Sequence, residues 1–159
     1  MKIKGASNTP KTIVVEICGG KVTLKPVSVV WSLETEEMLP TPTPPIKAYV
    51  RDGKGKIIRD SDGVATPVYD FKNPEYKKEV TKIQILQTVK MIADSIVDGM
   101  EFETDSELKS QKPREYYEAL LKEMTDYGLN IGDLNRLGVA IQKISGLDEA
   151  NIREVEGNF

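Results

Sequence analysis

The segment Pro40-Thr41-Pro42-Thr43-Pro44-Pro45 limits this chain more than any other feature. Proline locks φ and lacks a backbone N–H, so neither a helix nor a central strand can run through the stretch. It must be extended and polyproline-like, a stiff spacer between elements on either side. Those elements differ in kind. β-branched and turn-forming residues dominate before residue 73, and helical periodicity dominates after it. The 159 residues are read as one domain of ordinary size. It has a loose N-terminal arm over 1–11, a β and proline-rich part over 12–72 and a helical part over 73–159. The fold class is α+β: an N-terminal β-hairpin or small antiparallel sheet, the proline-rich extended segment, and a C-terminal bundle of three to four helices.

The hairpin is read from Thr12–Ile17 and Val22–Lys25, two strand-like runs around Cys18-Gly19-Gly20-Lys21. Gly19-Gly20 supplies the positive φ that a tight turn requires. Two strands are marginal in water, so another element must cover or extend them. Pro26 fits the first turn of a short helix over 27–38, with Val27, Val30, Trp31 and Glu34 on one face. The β-branched content leaves a strand open there. Residues 46–70 read as an extended excursion: 46–51 alternate, Asp52-Gly53 makes a turn and 56–59 resume, suggesting a second hairpin, and Asp60-Ser61-Asp62-Gly63 makes another turn. No internal repeat is expected.

Asn73-Pro74 reads as a helix cap followed by proline at the first position. Tyr76, Val80, Ile83, Leu86, Val89, Ala93, Ile96 and Val97 recur at helical spacing, predicting a helix over 74–98 that stops at Gly99. Such a helix is roughly 37 Å long at about 1.5 Å per residue. A charged connection spans 101–112. Helices are expected from Pro113 to near Gly128, from about 131 to 145, and, capped by Asp148, over 149–156.

The sequence contains no histidine, which excludes Ser–His–Asp and Cys–His nucleophilic sites and the imidazole-based zinc and iron centres. Cys18 is the only cysteine, so no internal disulfide exists and a reducing compartment is allowed. The N-terminus lacks the apolar core of a signal peptide, and no apolar run reaches the roughly 18 residues of a membrane span. The expected location is cytoplasmic. No cofactor and no metal site are expected.

The formal charge is −3. Residues 1–72 hold 11 Lys/Arg against 8 Asp/Glu, and residues 73–159 hold 11 against 17. Nucleic-acid backbone binding wants a basic face, so it is not expected. The acidic C-terminal half is read as solvated helix faces or, more sharply, as an acidic docking surface. A helix-turn-helix reading of 116–144 fails on the sparse charge of its second helix, which carries Arg136 and Lys143 offset by Asp133. Gly53-Lys54-Gly55 begins a dinucleotide-binding pattern, but Ile58 takes the third glycine position. Asp60-Ser61-Asp62-Gly63 resembles part of a calcium loop, but Ile58 and Tyr69 occupy its first and twelfth positions. Glu101, Glu103, Asp105 and Glu107 alternate along a connection, which points them to water. Candidate partner-binding residues are Trp31, Pro42, Pro44, Pro45 and Tyr49. Aromatics interleaved with prolines can form an exposed contact surface, and Pro42, Pro45 and Lys47 match a short proline-ligand pattern.

The order of features is a further signal. Lys25-Pro26-Val27-Ser28 follows the hairpin, then come Pro42-Thr43-Pro44-Pro45-Ile46, Asn73-Pro74-Glu75-Tyr76 and Ile144-Ser145-Gly146-Leu147-Asp148-Glu149, with a terminal Phe159. This layout resembles small assembly proteins of long-tailed bacteriophages, most of all the tail assembly chaperones. The resemblance implies a non-enzymatic protein of the host cytoplasm. It implies binding to the tape measure protein during tail morphogenesis, and self-association. It supplies no catalytic residues. A regulatory or adaptor module, binding a host protein or DNA through the helical half, is the alternative.

Overall fold

The computed structural model describes residues 11–147. The expected arm over 1–11 and the expected helix over 149–156 therefore lie, but for Lys11, outside the described residues. The fold is α+β. Two compact units divide the chain: the first comprises Met1–Leu39 and Leu86–Phe159, the second Pro40–Ile85.

The first unit begins with the expected hairpin, β1 (Ile13–Ile17) and β2 (Gly20–Leu24), paired antiparallel from Ile13↔Leu24 to Ile17↔Gly20. The two-residue loop is Cys18-Gly19, not Gly19-Gly20, and both loop residues have positive φ, 51° and 77°. Gly20 belongs to the ladder. A two-residue loop whose twist matches the strands needs left-handed conformation at both central positions. Cys18 adopts it at a cost that glycine would not bear.

The helix expected over 27–38 is shorter. It forms as α1 (Trp31–Met38). Pro26 lies outside its first turn, and the N–H of Val27 donates instead to Ser145 Oγ at 3.1 Å. The expected face is also corrected: Thr35, rather than Val30 or Glu34, is the residue α1 buries. Its hydroxyl donates to the Trp31 carbonyl at 2.7 Å.

The long helix is α2 (Pro74–Ser95), shorter than the expected 74–98. The next three residues form β5 (Ile96–Asp98), which pairs antiparallel with β2 through Thr23↔Asp98 and Leu24↔Ile96. Ile96 and Val97 are β-branched and tolerate either state, and the open edge of β2 decides between them. The Lys25 N–H extends this junction by donating to the Ser95 carbonyl at 2.8 Å. The sheet order β1-β2-β5 thereby supplies the third strand that the hairpin needed. Gly99 is no simple helix stop. A Cβ there would lie 2.0 Å from the Lys21 carbonyl oxygen, so the residue permits close backbone approach to β2.

The connection over 101–112 contains a short helix, α3 (Glu107–Gln111). Next come α4 (Pro113–Tyr127) and α5 (Ile131–Ile144), close to the expected bounds. Pro113 opens α4, and Gly128 closes it in left-handed conformation. Asn130 and Asp133 form a reciprocal capping box at the start of α5. The core of this unit contains Leu24, Leu39, Leu86, Val89, Ile92, Leu120, Leu137 and Ile141, all at 0 % exposure. Full burial of such a side chain is worth about 1.5–3 kcal/mol.

The second unit corrects the expected second hairpin: the strand partner of β3 (Ile46–Tyr49) is β4 (Pro67–Tyr69), not residues 56–59 across the Asp52-Gly53 turn. The intervening chain corrects the expectation that no internal repeat exists. Arg51-Asp52-x-x-Gly55 and Arg59-Asp60-x-x-Gly63 are two copies of one loop. In each, an arginine guanidinium donates to the glycine carbonyl, Arg51 Nη1 to Gly55 at 2.7 Å and Arg59 Nη1 to Gly63 at 2.8 Å. In each, one aspartate oxygen accepts two backbone N–H groups, from Lys54 and Lys56 at Asp52 and from Asp62 and Val64 at Asp60. The isolated bridges Arg51↔Ile57 and Arg59↔Ala65 close both loops. Asp60 thus serves a turn. Tyr69, Phe71 and Tyr76 follow as an edge-to-face series with centroids 6.3 Å apart at each step. Asn73 Oδ1 accepts the Tyr76 N–H at 3.0 Å, as expected of a cap.

Candidate functional site

A groove of about 610 Å³ opens in the first unit. Its walls come from the ends of β1 and β2, the segment after β5 and the last turn of α4. Ile17, Val22, Met124 and Leu129 are buried along it, and Met100 and Phe102 are half-buried. Tyr127, also on the groove, is 77 % exposed. Glu101, Glu103, Glu123 and Asp126 line the same opening. It therefore pairs an apolar floor with a carboxylate rim.

Local pattern explains this arrangement. Met100-Glu101-Phe102-Glu103-Thr104 alternates, with Phe102 and Thr104 turned inward and both glutamates exposed. Glu123 pins the segment to α4. Its carboxylate accepts the Glu103 N–H at 2.8 Å and the Thr104 hydroxyl. The Thr104 bond, aided by the backbone donors, holds the Glu123 carboxyl below its usual range. Asp126 pairs with Lys122 one turn away. Glu101 and Glu103 have no cationic partner among the described residues, so the rim is negatively charged.

The sequence-predicted partner residues fall in different units. Trp31 belongs to the first, where its ring receives the Lys90 ammonium at 5.5 Å from the centroid. Pro42 and Pro44 are half-buried in the second unit, and Pro45 is exposed. The Pro45 carbonyl accepts the Asp70 N–H at 2.7 Å, continuing the hairpin ladder. Tyr49 is 40 % exposed and pairs with Pro67 in that ladder. The acidic groove was not singled out from the sequence. Its signal was the alternation of Met100 and Phe102 with glutamates inside a segment read only by its charge. Arg136, weighed as a DNA contact, donates to the Glu16 carbonyl at 2.7 Å.

Trp31 also borders a second, more polar cavity of about 470 Å³, with Lys25, Glu34, Lys90, Asp94 and Lys109. Lys90 is 1 % exposed and bonds Asp94 Oδ2 at 2.5 Å, while Lys109 takes Asp94 Oδ1 at 3.1 Å. Burial alone would lower the Lys109 pKa. Its hydrogen bond to Asp94 and that carboxylate's charge, together with Tyr117, outweigh this and raise it. The Tyr117 phenol is pushed up to about 12, first by burial and then by Asp94, with Lys109 opposing.

Comparison with protein-family models, curated proteins and solved structures finds no match to this chain. Among the described residues, no helix is long and apolar enough to cross a membrane.

Proposed function

We propose that this protein is a non-enzymatic assembly chaperone that holds an amphipathic helical client, and that the client is the tape measure protein of a long-tailed phage. One observation carries the reading: the groove lined by Met100, Phe102 and Met124 together with the carboxylates of Glu101 and Glu103, which have no cationic partner among the described residues. A helix lays an apolar stripe into such a groove, and basic residues flanking that stripe meet the rim. The layout resemblance to tail assembly chaperones supports the same class of client. On this reading the protein works in the host cytoplasm and self-associates while the client waits for the tail tube.

Co-expression with the proteins of neighbouring genes, followed by mass spectrometry of the purified complex, tests the proposal. The expected result is a long helix-rich tail protein bound in a salt-sensitive complex. Reversing the rim with Glu101→Lys and Glu103→Lys should weaken that complex about tenfold or more. A chain that ignores every tail protein overturns the reading, as does a charge-reversed variant that binds equally well.

A further inference from the structure

The cavity beside Trp31 is chemically unlike the acidic groove, and it contains an imbalance. Two ammonium groups, Lys90 and Lys109, share the single carboxylate of Asp94. The remaining charged lining residues, Lys25 and Glu34, cancel each other. The local excess is one positive charge, and part of it sits on a lysine that is 1 % exposed. A buried ammonium calls for more acceptors than one carboxylate oxygen provides. Trp31 lines the same cavity, its ring beside the Lys90 ammonium and its indole Nε1 closed to solvent. Val27 and Met38 add apolar lining.

We propose that this cavity binds a small carboxylic acid with a compact apolar body. The carboxylate accepts from Lys109, the accessible ammonium of the pair, and the apolar body rests against Val27 and Met38 beside Trp31. One excess charge matches a monoanion better than a phosphate dianion, and the apolar lining favours a carbon-rich acid over a bare ion. This site stands apart from the client groove and does not depend on the chaperone reading.

Trp31 is the only tryptophan, so its fluorescence and its indole ¹H–¹⁵N resonance report on this cavity alone. The experiment titrates the full-length protein with N-acetyl-leucine, with the neutral N-acetyl-leucinamide and with inorganic phosphate. The expected result is a saturable shift of the indole resonance with the acid only. Lys109→Gln, at a partly exposed position, should weaken that binding about tenfold, the loss of one charge-assisted bond. The inference is overturned if the acid produces no saturable shift, or if the amide or phosphate matches it. An unchanged affinity in folded Lys109→Gln protein also overturns it. The acid-versus-amide comparison uses the native chain and does not depend on how the variant folds.

Discussion

Asp94 Oδ2 lies 2.5 Å from Lys90 Nζ, and Lys90 is almost wholly removed from solvent. The carboxylate's other oxygen holds Lys109, so Asp94 is the hub of the cluster. Removing the hub strands a buried ammonium, whereas removing Lys90 leaves Asp94 with Lys109. Asp94→Asn should therefore destabilise the fold by about 3 kcal/mol, and Lys90→Met should cost clearly less. Urea denaturation of both variants checks the order. Equal losses would mean that Lys90 finds other acceptors.

Tyr117 predicts an alkaline transition. Its folded-state pKa of about 12 exceeds the ordinary phenol value of about 10. A raised pKa contributes stability that is complete below pH 10 and is lost as pH climbs from about 10 to 12. The loss is on the order of 2–3 kcal/mol. Lys109, also raised, acts in the same direction. Tyr117→Phe should flatten this part of the stability curve. Among the described residues the buried hydroxyl has no partner at hydrogen-bond geometry and only the weaker influence of Lys109, so the variant should be close to neutral at pH 7. Denaturation midpoints between pH 8 and about pH 11.5 decide the matter. A variant whose curve parallels the native one would refute the assignment.

Gly99 predicts a sharp local intolerance. Its φ is +87°, and a Cβ would meet the Lys21 carbonyl oxygen at 2.0 Å. Both the conformation and the collision oppose any side chain, and the obstacle is backbone. Gly99→Ala should cost about 2 kcal/mol or more and loosen the pairing of β2 with β5. Gly53→Ala, with nothing within 4 Å and no positive φ, should stay within about 0.5 kcal/mol. Thermal unfolding of the pair distinguishes a steric effect from a general penalty for replacing glycine.

Cys18 predicts a stabilising change. It is exposed and holds φ at 51° in the β1–β2 loop. Asparagine and glycine adopt that conformation with less strain. Cys18→Asn or Cys18→Gly should stabilise by about 0.5–1 kcal/mol, visible as a rise of a few degrees in the unfolding temperature. A fall in either variant would show that the thiol makes a contribution beyond the turn.

Glu123 predicts an acid-sensitive groove edge. Its lowered pKa means that its bonds to the Glu103 N–H and the Thr104 hydroxyl are intact above the ordinary carboxyl value of 4.5. They fail as pH falls through the lower folded-state value. The Glu103 amide resonance should titrate with a midpoint below 4.5, and Glu123→Gln should abolish that step. A midpoint at or above 4.5 would contradict the assigned bonds.

Much of the architecture was legible because it rests on short-range preference. Helical spacing located α4 and α5, where Pro113, Gly128 and the Asn130–Asp133 box mark the ends. A β-branched run located β1, and alternation located β2. The misreadings have different causes. Ile96 and Val97 continue the helical pattern of α2, yet the free edge of β2 draws them into a strand. The loop repeat escaped notice because it consists of only an arginine, an aspartate and a glycine at matched positions. Its identity becomes plain once both arginines are seen to bond the glycine carbonyls.

The sequence alone determined the α+β class, the extended proline break and the absence of imidazole chemistry. These follow from φ restriction, periodicity and composition, which act within a few residues or need no geometry at all. Only the tertiary structure decided that Met100 and Phe102 line a groove with Ile17 and Met124, and that Lys90 and Lys109 meet on Asp94. Those groupings join residues far apart in the chain. Their positions depend on how sheet and helices bury one another, a long-range outcome that no local pattern encodes.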